Sequence, residues 1–224
     1  MNKKYIVIFM VLIFLLILST TMLSQNGVKI IEQFTNSTYE KNTISGWNVK
    51  SFVGFTKYSV VDEDSNSVLR AFADSSASGI FKDVDYKLKD WPYLSWRWKV
   101  TQLPRKGDAR FKETDDYGAR VYVVFPRFLK WKTKTINYIW ANKLPKGESA
   151  PNTWLPKNAV MIAVQSGTES LGRWITEKRN VYEDYRRIFG EEPPDVGAVA
   201  IMSDADNTGG FAEAFYDDLV ISKN

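Results

Sequence analysis

The sequence predicts an all-β fold, a jelly-roll β-sandwich with one short helix and long loops. Three observations carry that expectation. Many short runs alternate apolar and polar residues with a period of two, the pattern of strands that bury one face. Turns rich in Gly, Pro, Asn and Asp separate these runs at short intervals. Only one stretch carries helix signals at both of its ends.

The chain has 224 residues and opens on a segment that belongs to targeting rather than to the fold. Asn2-Lys3-Lys4 is a short positive region, Tyr5 to Leu18 is an uninterrupted run of 14 apolar residues, and residues 19–25 are small and polar. This is the pattern of a secretory signal, with cleavage after about Ser24. The alternative is an uncleaved membrane anchor formed by residues 5–23. Fourteen apolar residues fall short of the roughly 20 that a membrane span needs. The chain has no cysteine, which excludes a lipid-modified N terminus. Residues 25–224 suffice for one domain with a large core, expected to be exported and periplasmic or extracellular.

The rest follows in order. Residues 28–34 alternate as a first strand and residues 46–55 as a second. Residues 57–61 and 67–73 read as a hairpin across the turn-rich residues 62–66. Residues 75–79 are small and read as flexible; residues 80–84 read as a strand. Pro92 pushes Trp91 to extended geometry and introduces a clean alternation over residues 93–100. There Leu94, Trp96, Trp98 and Val100 share a core face, with Ser95, Arg97 and Lys99 on the other. Residues 104–114 form a charged loop. Residues 119–125 form the central strand, with Val121, Val123 and Phe125 opposite Arg120, Tyr122 and Val124. Residues 126–134 place four basic residues beside Phe128 and Trp131 and read as an exposed loop. After a strand at 135–141 comes a long irregular connection, residues 144–157, with three prolines; such loops are more often functional than idle. Residues 158–166 and 173–181 are strands. Over residues 182–189, Asn180 with Glu183 fits a capping box, Gly190 suits the C-terminal cap, and Pro193-Pro194 forbids continuation. Residues 195–203 and 211–222 are the last two strands, joined by an Asp/Asn/Gly turn at 204–210.

Several of these strings carry a family resemblance. They are Leu94-Ser95-Trp96-Arg97-Trp98-Lys99-Val100, residues 115–125, residues 136–142, Arg179-Asn180-Val181 with Asp184-Tyr185-Arg186, and residues 204–209. Together they resemble a bacterial family known as domain of unknown function 3047, over nearly all of the chain after the signal. That resemblance implies no activity and no catalytic residues. More loosely, Phe34 with Gly46-Trp47 and the closing residues 215–221 look like the first and last strands of galactose-binding-like jelly rolls. Many of those are carbohydrate-binding modules, a likeness at the level of fold.

Composition excludes more than it proposes. There is no histidine and no cysteine. That removes Ser-His-Asp and Cys-His catalysis, thiolate chemistry and histidine or cysteine metal sites. Without Lys3 and Lys4, 28 basic residues face 26 acids, which gives no case for nucleic acid.

The charged residues inside strands, Arg97, Arg120, Glu177, Arg179 and Glu213, are the most informative set. With Tyr122 and Gln165 they read either as an ion-pair network or as the lining of a polar cleft on the concave face. Asp204, Asp206 and Thr208, with Gly209, place oxygens at calcium-loop spacing, but position 12 is Phe215 instead of glutamate, so this is no EF-hand. Either a strand-end calcium loop or an Asx-rich turn fits; no other cofactor is expected. Trp131 and Trp154 sit in loops, where they either stack on sugar rings or plug the sandwich end. Asp115 with Asp116, or Glu177 with Glu213, could form the acid pair of a glycosidase, although adjacent extended residues point apart. The expectation is an exported, non-catalytic binding module of the cell envelope, for a glycan or other polar ligand, touching membrane only through an uncleaved N terminus. The alternatives are a carbohydrate-active enzyme using a carboxylate pair and a structural envelope protein that binds a partner protein.

Overall fold

Two sheets, one of six strands and one of seven, face each other across the core of the computed structural model, which describes residues 27–37, 39–40, 43–63 and 65–224. The signal or anchor expected over residues 1–24 lies outside the described residues, as does Asp64 of the expected hairpin turn. The strands are β1 (Val28–Glu32), β2 (Tyr39–Glu40), β3 (Thr43–Ile44), β4 (Asn48–Val53), β5 (Lys57–Glu63), β6 (Asn66–Asp74), β7 (Ala77–Tyr86), β8 (Tyr93–Gln102), β9 (Tyr117–Phe125), β10 (Lys134–Ala141), β11 (Ser149–Pro151), β12 (Ala159–Ser166), β13 (Ile175–Asn180), β14 (Val196–Asp204) and β15 (Phe211–Ser222). One helix, α1 (Val181–Phe189), follows β13.

The first sheet runs β13-β8-β15-β6-β5, with β1 pairing the last residues of β15. The second runs β11-β12-β10-β9-β14-β7-β4. All these pairings are antiparallel except β10 with β12. The expected β-sandwich, with a single short α-helix among the described residues, is therefore the observed fold. No described helix is long and apolar enough to cross a membrane.

Alternation does what the sequence pattern requires. Leu94, Trp96, Trp98 and Val100 of β8 face Val121, Val123 and Phe125 of β9 and Ile136, Tyr138 and Trp140 of β10 in one shared core. Trp96 stacks on Tyr138 with centroids 5.3 Å apart, and Trp98 meets Trp140 edge-on at 5.9 Å. The helix forms where its end signals lie: the Asn180 side chain accepts from the Glu183 N–H at 3.1 Å, and Gly190 takes φ +66°.

Local expectations fail where neighbours intervene. Phe34 leaves the first strand for a short 3-10 turn and is fully buried. Residues 77–79 are not a flexible link but the start of β7, because β14 and β4 pair with them on both sides. Two β-bulges matter most, since each turns the following side chains to the other face. Tyr117 and Arg120 are three positions apart in β9, whereas their partners Asp204 and Met202 are two apart in β14. Tyr117 and Arg120 thus share the outer face, and Gly118 is turned inward, where an added Cβ would lie 2.6 Å from Leu103. In β12, Ala163 and Gln165 pair with the consecutive residues Ile139 and Trp140.

The registers also fix the ends. β9 ends, β10 and β12 begin, and β15 closes against β1 and the start of β8 at one end, here the lower end. The loops 103–116 and 205–210 lie at the upper end. From there, Ala109, with Leu144 and Ala150 of the connection after β10, packs over Tyr117, Ile139, Ala141, Met161 and Ala163. These loops cover the β10–β12 half of the outer face of the seven-stranded sheet and the upper part of β9 and β14, and leave the lower part of the β9–β14–β7–β4 half open.

Candidate functional site

The seven ligand-binding residues expected from the sequence do not line one cleft; the structure distributes them over three places. Arg97 and Glu213 lie on the outer face of the six-stranded sheet. Arg97 donates to Asp217 at 2.7 Å and pairs with Asp218 at 2.8 Å. Glu213 accepts from Arg70 at 2.8 Å and from Thr101 at 2.6 Å.

Gln165, Glu177 and Arg179 lie between the sheets along the β12–β13 side. The bulge in β12 aims Gln165 at Glu177, to which it donates at 2.6 Å. Burial raises the Glu177 carboxyl above its ordinary range despite that bond. Arg179 holds both carboxylate oxygens of Asp184 on α1, at 2.7 and 3.0 Å, and Tyr138 adds its hydroxyl at 3.0 Å. Arg179 is thereby a structural clasp between β13 and the helix. Glu177 and Glu213 occupy different sides of the sandwich and cannot act as one acid pair.

Only Arg120 and Tyr122 reach the outer face of the seven-stranded sheet. Arg120 is buried and paired with Asp204. The Tyr117 ring lies 4.3 Å and the Tyr122 ring 5.6 Å from its guanidinium carbon. Cation–π attraction is strongest in such desolvated settings. Met202 joins them, its sulfur 3.5 Å from Arg120 and 3.4 Å from the Tyr122 hydroxyl.

The residues expected to bind calcium meet here too, with a changed membership. Oxygens of Asp116, Asp204 and Asp206 all lie within 4.8 Å of one another. Thr208 donates its hydroxyl to Asp116 at 2.6 Å instead of presenting it inward, and Asp116 also accepts the backbone N–H groups of Asn207 and Thr208. Asp116 therefore ties the upper loop to the start of β9, while Asp115 turns aside to accept from Tyr117 at 2.5 Å. Asp115 and Asp116 thus take different partners, but Asp115 is not extended: it ends a short 3-10 turn with φ −74° and ψ 54°. Burial, and then the neighbouring carboxylates, push the Asp204 and Asp206 carboxyls up, with Arg120 opposing. One Asp204 oxygen, Oδ1, has no hydrogen-bond partner.

Beside this cluster opens a cleft of about 620 Å³ on the uncovered half of the sheet. Its floor is Gly79, Ala198 and Ala200, small enough for a ligand to approach the backbone. Phe52, Phe81, Tyr122 and Val124 wall it, and Lys50, Asp83, Lys130 and Thr133 stand around it. Phe52 is 64% exposed. Sequence reading missed Phe52 and Phe81. The signal for Phe81 was present: it follows the core residue Ile80 in a strand and so must face outward.

Several solved structures are similar in architecture. A family 11 carbohydrate-binding module of the cellulosomal cellulase Lic26A-Cel5E of Clostridium thermocellum aligns over 89% of this chain and 96% of its own, with 12% identity and a TM-score of 0.48. A family 30 module of cellulase Cel9D-Cel44B from the same organism aligns over 83% and 96%, with 11% identity and a TM-score of 0.46. An engineered Cel12A cellulase of Rhodothermus marinus aligns over 86% and 98%, with 11% identity and a TM-score of 0.44. No curated protein matches the sequence. A family profile does match, over residues 45–220. The chain belongs to the family described as protein of unknown function, DUF3047.

Proposed function

We propose that the protein is an exported, non-catalytic module of the cell envelope that holds a glycan in the cleft on the outer face of the seven-stranded sheet. The lining of that cleft carries the reading. A pyranose ring has apolar C–H faces and a polar hydroxyl edge. Phe52, Phe81 and Tyr122 offer rings for the faces, and Lys50, Asp83, Lys130 and Thr133 offer donors and acceptors for the edge. A volume of about 620 Å³ is within the usual range for ligand sites. Asp83 is the only acid in the lining among the described residues. Glycoside hydrolysis ordinarily needs two carboxyls, so the cleft suits binding better than cleavage. The buried Arg120–Asp204 pair lies beneath as a brace that holds Tyr122 and Met202 in place. Export follows from the signal pattern in residues 1–24.

The test is a glycan array probed with the protein, repeated with Phe52→Ala and Phe81→Ala. Burying a phenyl ring contributes about 1.5–3 kcal/mol, so each change should weaken the retained glycan about tenfold or more. An array that retains nothing, or affinities unmoved by both changes, overturns the reading.

A further inference from the structure

The lower end of the sandwich exposes large apolar side chains among cations. Phe128 is 101% exposed, Trp131 74%, Trp154 56% and Leu155 61%. They lie on two loops, residues 126–133 and 152–158, which contain no acid and carry Lys130, Lys132 and Lys157, besides Arg127, which is paired with Glu191. The loops are fixed to each other. Asn158 donates to the carbonyls of Trp131 and Thr133, both at 2.9 Å. Asn152 accepts from the N–H groups of Trp154 and Leu155 at 3.1 and 2.9 Å and sets the turn that presents them. Exposing several aromatics on braced loops costs solvation free energy that a partner would recover.

We propose that this end docks onto an anionic lipid bilayer. Tryptophan and phenylalanine favour the headgroup region, and lysines beside them are drawn to anionic headgroups. The path of the chain supports the same occupant. β1 begins at this end, where Val28 pairs with Ser222 and Lys29 and Lys223 flank Trp91 at 4.3 and 5.3 Å. Only residues 19–26 separate the described domain from the apolar run Tyr5–Leu18. Eight extended residues reach at most about 30 Å. A chain that keeps this run in the membrane therefore holds the lower end near the lipid. The upper end then faces away from it, and the open cleft, which Pro126, Lys130 and Thr133 help to line, opens beside the docked end. The proposal does not depend on the glycan reading.

The experiment uses the full chain with vesicles of phosphatidylglycerol whose acyl chains are brominated, read by quenching of tryptophan fluorescence. The wild type should be quenched. Trp131→Phe/Trp154→Phe keeps the loops aromatic but removes the reporters, and should lose most of that quenching. Lys132→Glu/Lys157→Glu should weaken quenching at least threefold with an unchanged melting curve, and brominated phosphatidylcholine should quench less than phosphatidylglycerol. Quenching left undiminished by the double Trp change would come from other tryptophans and would overturn the proposal. Equal quenching by both lipids would also overturn it. So would a wild type that is not quenched, which would turn attention to a protein partner at this end.

Discussion

A guanidinium in the middle of a strand is tolerated only beside a counter-charge, and Arg120 has Asp204. Replacing Arg120 by Ala leaves a buried carboxylate facing Asp116 and Asp206 with its cation gone. Breaking a buried pair from one side costs about 3–5 kcal/mol, so Arg120→Ala should lower unfolding stability by that amount in urea titrations at pH 7. Arg120→Met combined with Asp204→Asn removes both charges and should cost less than Arg120→Ala alone. A double variant as unstable as the single would show that packing, not charge, holds the site. The sequence marks Arg120 because its neighbours are apolar, and marks Asp204 because oxygen side chains recur around it. It does not show that the two are partners, since β9 and β14 meet only through long-range pairing, and the bulge that turns Tyr117 onto Arg120 exists only in that register. Gln165 teaches the same lesson: simple alternation groups it with Tyr122, and one extra residue in β12 moves it to the sandwich side.

Elements specified by local chemistry are those that the sequence shows best. The helix α1 begins and ends at its own signals, because capping involves only residues three or four apart. Asn180→Ala removes the acceptor for the Glu183 N–H and should cost about 1 kcal/mol, measured as a shift in the urea midpoint at constant slope. The helix should stay docked in that variant, since Asp184 remains held by Arg179 and Tyr138. A cost near zero would mean that this clasp alone fixes the first turn. Strands were visible through their period of two, as in β8 and β9. Their order in the sheets was not, because a run such as residues 159–166 reads the same whether its partner is parallel or antiparallel. That order decides the site: the seven charged and polar residues form one set by composition and three by sheet.

At the scale of the molecule, the sandwich has one core and many cross-ties, and that makes a thermodynamic claim. Tyr216 of β15 reaches the opposite sheet, donating to the Met202 carbonyl at 3.0 Å and accepting from the Arg120 N–H at 3.3 Å. Tyr58 of β5 does the same at the Ser78 carbonyl, 2.6 Å away. Trp96 and Trp98 of one sheet pack on Tyr138 and Trp140 of the other. Neither sheet can open without exposing the inner face of the other, so residues 27–224 should unfold as one unit. Tryptophan fluorescence, which reads this shared core, and far-UV circular dichroism, which reads the sheets, should give superimposable urea transitions. Trp98→Ala, which empties the centre of the cluster, should cost about 3–5 kcal/mol and shift both probes equally. If fluorescence moved at lower urea than the dichroism, the two sheets would be separable units and the reading of residues 25–224 as a single domain would fail.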